Sequence, residues 1–178
     1  MQVLNLYFST TGNTKKVAQQ ITATAASCGH QVDTIRATAG TDIDLLGYDL
    51  VFVGSGVYEW LPGKPLRTLF GKMRQKYVAL KEIKAGAPPR PGKIAIVYCT
   101  YGGGHTGVNE AVPTGKYLGQ LLEHLGFQVL AEWYLVGEYH GKLRRFNAMG
   151  RLGDISGRPN EEDLRQVAEM VNGVLKAQ

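Results

Sequence analysis

Five apolar runs punctuate the chain, and between them hydrophobic residues recur at helical spacing. Val3 to Phe8 is almost wholly apolar, the pattern of a strand buried on both faces. Val17, Ile21, Ala25 and Cys28 then form one stripe of a helix that ends near Gly29, which puts Cys28 on its inner face. Gln31 to Arg36 alternates polar and apolar and predicts an exposed edge strand. Leu50 to Val53 is the most apolar run and predicts a central strand. After it, Pro65 suits a first helical turn, and Leu66, Leu69, Phe70, Met73 and Tyr77 keep helical spacing. Ala85 to Gly92, with Pro88, Pro89 and Pro91, predicts an extended surface loop. Ile94 to Tyr98 is a fourth strand, and Leu118, Leu121, Leu122 and Leu125 mark a helix whose start Pro113 obscures. Phe127 to Val136 is apolar at odd positions and predicts a second edge strand. The last helix has Asn160 as N-cap and Glu161, Glu162 and Asp163 at the positive end of its dipole, with Leu164, Val167, Ala168, Val171 and Leu175 as its stripe.

Alternating strands and helices predict right-handed crossovers and an α/β fold with a parallel sheet covered on both faces. Five strands with the second and fifth at the edges fit the order 2-1-3-4-5, in one domain spanning residues 1–178. Ligands of such sheets sit beyond the carboxyl ends of strands one and three, where the winding reverses. The loops after Phe8, Val53 and Tyr98 are therefore the places to look for chemistry.

Composition narrows the class. With 44% hydrophobic and 20% charged residues in a chain of 178, a disordered protein is excluded. No run reaches the roughly 18 to 20 apolar residues of a membrane helix. Met1-Gln2-Val3-Leu4 enters a strand pattern at once, without a basic stretch or cleavage site, which predicts a cytoplasmic protein. Cys28 and Cys99 are too few for a disulfide framework, a structural zinc or an iron–sulfur cluster, so no metal is expected. The formal charge is +5, and much of it is local. Between Gly137 and Arg158 the basic residues are Lys142, Arg144, Arg145, Arg151 and Arg158, against Glu138 and Asp154. Such a patch predicts an acidic partner or anionic ligand, not general affinity for nucleic acid or membranes.

Ser9-Thr10-Thr11-Gly12-Asn13-Thr14 joins the first strand to the first helix. Hydroxyls here surround a helix N-terminus whose amides lack intrahelical acceptors. A phosphate placed there takes those amides, the dipole and the Ser and Thr hydroxyls, with Gly12 letting the backbone close around it. No lysine is needed, and Lys15 and Lys16 are expected on the solvent face. The glycine spacing and Lys-Ser/Thr of a nucleoside-triphosphate loop are missing, as is the three-glycine dinucleotide fingerprint, so a phosphate monoester fits best.

Ser9-x-Thr11-Gly12-x-Thr14 after an apolar strand resembles the phosphate-binding loop of the flavodoxin family. That resemblance spans nearly the whole chain. It implies a flavodoxin-like three-layer sandwich, FMN as cofactor, and the 5′-phosphate of FMN held by Ser9, Thr10, Thr11, Gly12, Asn13 and Thr14. It further implies that the loop Gly54 to Gly63 supplies an aromatic stacking on the flavin. Counting from Gly54 places Tyr58 there, next to Val57, with Trp60 the competing ring. Thr100-Tyr101-Gly102-Gly103 resembles the loop that bonds the ring edge through backbone amides, with Tyr101 offered to the second ring face. His105 has no second catalytic group beside it in sequence and reads as a surface residue, and Cys99 as core. No catalytic side chain is expected.

Two features depart from the family pattern. Flavodoxins are strongly acidic, whereas this chain is basic, which implies a less extreme flavin potential or an acidic docking partner. The residue after the stacking aromatic is often glycine in the family and is Glu59 here, where a positive φ is costly. Gly137 to Arg158 is longer than a strand–helix connection requires. It can be a lid over the flavin, a docking site for an acidic redox partner, or a solvated loop. The functional expectation is an FMN-binding electron carrier between redox partners. The alternatives are an FMN-dependent reductase of quinones or other small substrates using NAD(P)H, and a flavin-free interaction domain.

Overall fold

The computed structural model describes residues 1–177. β1 (Gln2–Phe8), β2 (Gln31–Arg36), β3 (Leu50–Tyr58), β5 (Ile94–Tyr101) and β6 (Gln128–Val136) form a parallel sheet in the order β2-β1-β3-β5-β6. The expected order of five strands is therefore correct, with one addition. β4 (Leu61–Pro62) is a short sixth strand that folds back antiparallel on β3, pairing Tyr58 with Leu61 and Val57 with Pro62. β3 and β5 also run longer than the apolar runs suggested, so Val57, Tyr58, Thr100 and Tyr101 are strand residues and not loop residues.

Helices α1 (Asn13–Ser27) and α4 (Glu161–Lys176) cover one face, around a core of Val17, Ile21, Phe52, Ile96, Val167 and Val171. Helices α2 (Lys64–Ala79) and α3 (Val112–His124) cover the other, over Leu6, Val53, Val97, Leu66, Phe70 and Leu118. Pro65 and Pro113 both lie in the first turns of their helices, where the missing N–H is not needed. Cys28 is not on the inner face of α1: it caps the helix one residue beyond Ser27, is exposed, and its thiol faces Asn172 Oδ1 at 3.3 Å.

A buried polar chain links the central strands. Tyr98 Oη donates to Asn5 Oδ1 (2.8 Å), and Asn5 Nδ2 donates to the Ala18 carbonyl (2.8 Å) and to Thr22 Oγ1 (3.0 Å). The Tyr98 ring lies directly over Gly54, which has no side chain to obstruct it.

The expected start of α4 is borne out in full. Asn160 Oδ1 accepts from the Asp163 amide, and Asp163 Oδ2 accepts from the Asn160 amide, a closed capping box. Burial pushes the Asp163 carboxyl up, but the Arg158 guanidinium and the Asn160 amide outweigh it and hold the group below its usual range. A carboxyl lower in the folded than in the unfolded chain stabilises the fold above its unfolded pKa of about 3.9. That contribution is lost as pH falls through the lower folded value. Asp163→Asn is expected to cost about 1–2 kcal/mol at pH 7 and to flatten the acid limb of the stability profile. Urea unfolding of both proteins at pH 7 and pH 3 measures it.

Candidate cofactor site

The carboxyl ends of β1, β3 and β5 converge on two adjoining hollows. The first surrounds the loop after β1. Gly12 takes φ 105° and forms the N-cap of α1 without any side-chain cap, and the first turn carries no acid. The amides of Asn13, Thr14 and Lys15 find no carbonyl acceptor among the described residues. α1 and α4 thus start in opposite ways: α4 is fully capped, while α1 presents bare donors beside a group of hydroxyls.

Ser9 is buried and its Oγ accepts from the Gly12 amide at 3.1 Å. Thr11 is exposed. Thr14 is buried and shares a 2.8 Å hydroxyl bond with Thr100, joining two residues expected to act at different parts of the ligand. Thr10 bonds Tyr58 Oη through both its hydroxyl (2.7 Å) and its amide (3.2 Å). Asn13 points elsewhere, donating to the Glu138 carbonyl at 2.8 Å and meeting His140 Nε2 at 3.1 Å.

Lys15 and Lys16 are exposed, as expected, but two cations border this loop. Lys15 and Arg36 line the same hollow of about 300 Å³, and an Arg36 guanidinium nitrogen donates to the Ser9 carbonyl at 3.0 Å. Arg36 was not singled out in the sequence. The signal that finds it is the strand order: β2 neighbours β1 in parallel with Tyr7 opposite Arg36, so the last residue of β2 lies beside the loop.

The second hollow is a cleft of about 900 Å³, lined by Tyr58, Trp60, Tyr101, Gly102, Tyr139 and Phe146 among others. Its volume is within the roughly 300–1,000 Å³ of ligand pockets. Glu59 and Trp60 form the two-residue turn between β3 and β4, both with positive φ (50° and 66°). Tight hairpins need that conformation and prefer Asn-Gly for it, so Glu-Trp stores roughly 1–2 kcal/mol per residue. The turn is held from both ends: Ser55 Oγ accepts from the Gly63 amide (3.0 Å) and Thr114 Oγ1 donates to the Trp60 carbonyl (2.8 Å). As a result Trp60 projects with 61% of its surface exposed, whereas Tyr58 packs its ring beside Phe8 and commits its hydroxyl to Thr10. Of the two expected stacking rings, Trp60 is the one left open on the cleft.

Tyr101 is buried at the end of β5, and burial raises its phenol pKa against an opposing pull from Arg158. The glycine run that follows serves Tyr139. A Cβ on Gly102 would sit 2.3 Å from the Tyr139 ring, and the Gly104 amide donates to Tyr139 Oη at 3.1 Å. Gly103 takes φ 58° beside them. His105 is exposed, with its amide and that of Thr106 bound to Glu110 Oε1 (2.7 and 2.8 Å). Cys99 is fully buried and its thiol pKa is pushed up by burial, as suits a core residue.

Residues 137–158 are largely exposed, but they are tied to the cleft by specific contacts. Asn147 is 2% exposed and ties the segment together: its Oδ1 accepts from the Tyr139 amide at 2.7 Å and its Nδ2 donates to the Tyr139 carbonyl at 3.2 Å. The Arg151 amide bonds the Gly104 carbonyl, and a 3₁₀ turn over Gly141–Asn147 brings Leu143 and Phe146 to the cleft wall. From α2 the cleft lining takes Arg67, whose Nε is buried without any hydrogen-bond partner, alone among the buried side-chain nitrogens and oxygens of the described residues. A buried guanidinium donor without an acceptor is costly and favours a ligand that brings one. Among the described residues no helix is long and apolar enough to cross a membrane.

Residues 4–83 match a family model described as a flavodoxin domain, a stretch that includes the hydroxyl loop and the β3–β4 hairpin. No curated protein sequence matches the chain. Among solved structures, a flavodoxin of Streptococcus pneumoniae TIGR4 is similar over 100% of both chains with TM-score 0.68 at 17% identity. Oxidised Flavodoxin 2 from Bacillus cereus is similar over 100% of both chains with TM-score 0.68 at 15% identity. A flavone reductase is similar over 99% of this chain and 62% of its own, with TM-score 0.62 at 14% identity. The sheet order and the likeness to these structures give the chain a flavodoxin-like fold, and its residues 4–83 carry the flavodoxin-domain match.

Proposed function

We propose that this chain binds FMN and works as an electron-transfer protein. The observation that carries the reading is the uncapped N-terminus of α1, bordered by Ser9, Thr10 and Thr11 with Thr14 buried behind them, and adjoining an aromatic cleft. Bound FMN supplies the one- or two-electron chemistry. The hydroxyls of Ser9, Thr11 and Thr14 and the free amides of Asn13 and Thr14 would hold the phosphate, with Gly12 allowing close approach. Arg36 and Lys15 add charge attraction from the strand edge. Thr10 and its partner Tyr58 form the joint between the two hollows. Trp60 and Tyr101 would flank the flavin ring, and Thr100, Gly102 and Gly103 would border its edge. Tyr139 and Phe146 would exclude water from the cleft. Electron transfer requires no acid–base side chain here.

Arg67 and the basic surroundings favour the more negatively charged, reduced cofactor. Arg67→Gln is expected to lower the two-electron midpoint potential by about 30 mV or more, a tenfold change in the relative affinity for reduced and oxidised FMN. Spectroelectrochemical titration of the two holoproteins reads it. A wild-type potential as low as that of strongly acidic flavodoxins would count against the electrostatic argument.

One observation favours a second reading, an FMN-dependent reductase of quinones or other small substrates. Tyr139, Leu143 and Phe146 wall the cleft as a substrate pocket would be walled. Steady NAD(P)H oxidation with a small acceptor, by the protein alone, separates the two. A carrier turns over only with a partner reductase.

A further inference from the structure

We propose that the surface between Lys142 and Leu152 is the docking face for an acidic redox protein, an inference that rests on the electron-transfer reading. Lys142, Arg144, Arg145 and Arg151 are all exposed, and none lies within ion-pair distance of a carboxylate among the described residues. The segment's own acids pair with none of these cations: half-buried Glu138 and exposed Asp154 both accept from backbone or amide groups. Glu138 Oε2 accepts from the Gly157 amide and from Asn147, and Asp154 Oδ1 accepts from the Ser156 amide. Four uncompensated cations thus occupy one short stretch.

Aliphatic side chains stand among them. Met149 is 73% exposed, Leu143 51% and Leu152 38%. Methionine and arginine are enriched at protein interfaces, and a few apolar contacts inside a charged rim are what a transient electron-transfer encounter uses. A bilayer would instead meet a long apolar helical face, whereas this segment is a 3₁₀ turn and loop. The surface is also held in place by the buried Asn147, so docking requires little ordering. Its position fits the task. Leu143 and Phe146 belong both to this turn and to the cleft wall, so a protein seated on the cations lies next to the ring site. Opposite charge steers the encounter and makes its rate depend on salt.

The test uses the FMN-loaded protein and a pre-reduced acidic [2Fe–2S] ferredoxin in a stopped-flow mixer. Each ferredoxin gives up one electron and is oxidised, so two encounters reduce one flavin by two electrons, with protons taken from solvent. The wild-type rate is expected to fall about tenfold or more between low and physiological salt. A variant with Lys142, Arg144, Arg145 and Arg151 all changed to Gln is expected to be about tenfold slower at low salt and nearly independent of salt. Its reduction by a neutral small-molecule donor should stay at the wild-type rate, which shows that fold and cofactor are intact. A wild-type rate indifferent to salt overturns the proposal, as does a variant that reacts as fast as wild type. Co-sedimentation with phosphatidylserine vesicles at physiological salt, abolished in the variant, would also overturn it by assigning the face to a membrane. Should the protein take up no FMN, the cofactor reading fails separately. Calorimetry with the oxidised ferredoxin then tests the face: salt-sensitive binding lost in the variant supports it, and no binding rejects it.

Discussion

Thr11→Val is expected to weaken FMN binding by about 10- to 150-fold, the loss of one charge-assisted bond of roughly 1.5–3 kcal/mol. Thr11 is the cleaner of the two threonine probes because it is exposed and has no structural duty. Thr14→Val should weaken FMN similarly, but it also removes the partner of the buried Thr100 hydroxyl and so lowers stability. Arg36→Gln separates charge from hydroxyl. If the cation contributes, affinity falls and its dependence on salt becomes shallower. Isothermal titration of FMN into each variant, with thermal unfolding of the apoproteins as a control, measures all three. Undiminished affinity in both threonine variants would move the phosphate anchor elsewhere.

Gly54→Ala should have the largest effect on folding. An alanine Cβ would sit 2.0 Å from the Tyr98 ring, which is fully buried and anchored to Asn5 in the centre of the sheet. Moving the buried ring aside breaks its hydrogen bond to Asn5. Overpacking and the lost bond together should cost about 3–4 kcal/mol, enough to unfold a marginal domain. Gly71→Ala is the matched control. No atom lies within 4 Å of its new Cβ, and helix propensity predicts a gain of up to about 1 kcal/mol. Urea midpoints of the two variants should move in opposite directions.

The sheet order was legible because the apolar runs differ in kind. Val3–Phe8 and Leu50–Val53 are continuous, as strands covered on both faces must be, while Gln31–Arg36 alternates and lies at the edge. The start of α4 was legible because capping is local chemistry, settled within four residues. The β3–β4 hairpin was hidden, since Glu59-Trp60 lacks the Asn-Gly signature and is held by Ser55 and Thr114 from outside the turn. Cys28 was misplaced by extending a helical stripe past Ser27, where helical geometry stops. At the site, the hydroxyl loop could be found from its neighbours in sequence. Arg36, Arg67 and Tyr139 could not, because each reaches the site from a different element through tertiary packing. The glycines after Tyr101 illustrate the limit. Their spacing showed that something approaches closely, but not that Tyr139 does, 37 residues beyond Gly102.

The most direct test of the account is parallel titration of the purified protein with FMN and with riboflavin, the same ring system without the phosphate. The hydroxyl-bordered start of α1 predicts one FMN per chain, a yellow complex, and affinity for FMN about 100-fold or more above that for riboflavin, roughly 2.7 kcal/mol. Equal affinities, or a colourless protein that takes up neither, would contradict it.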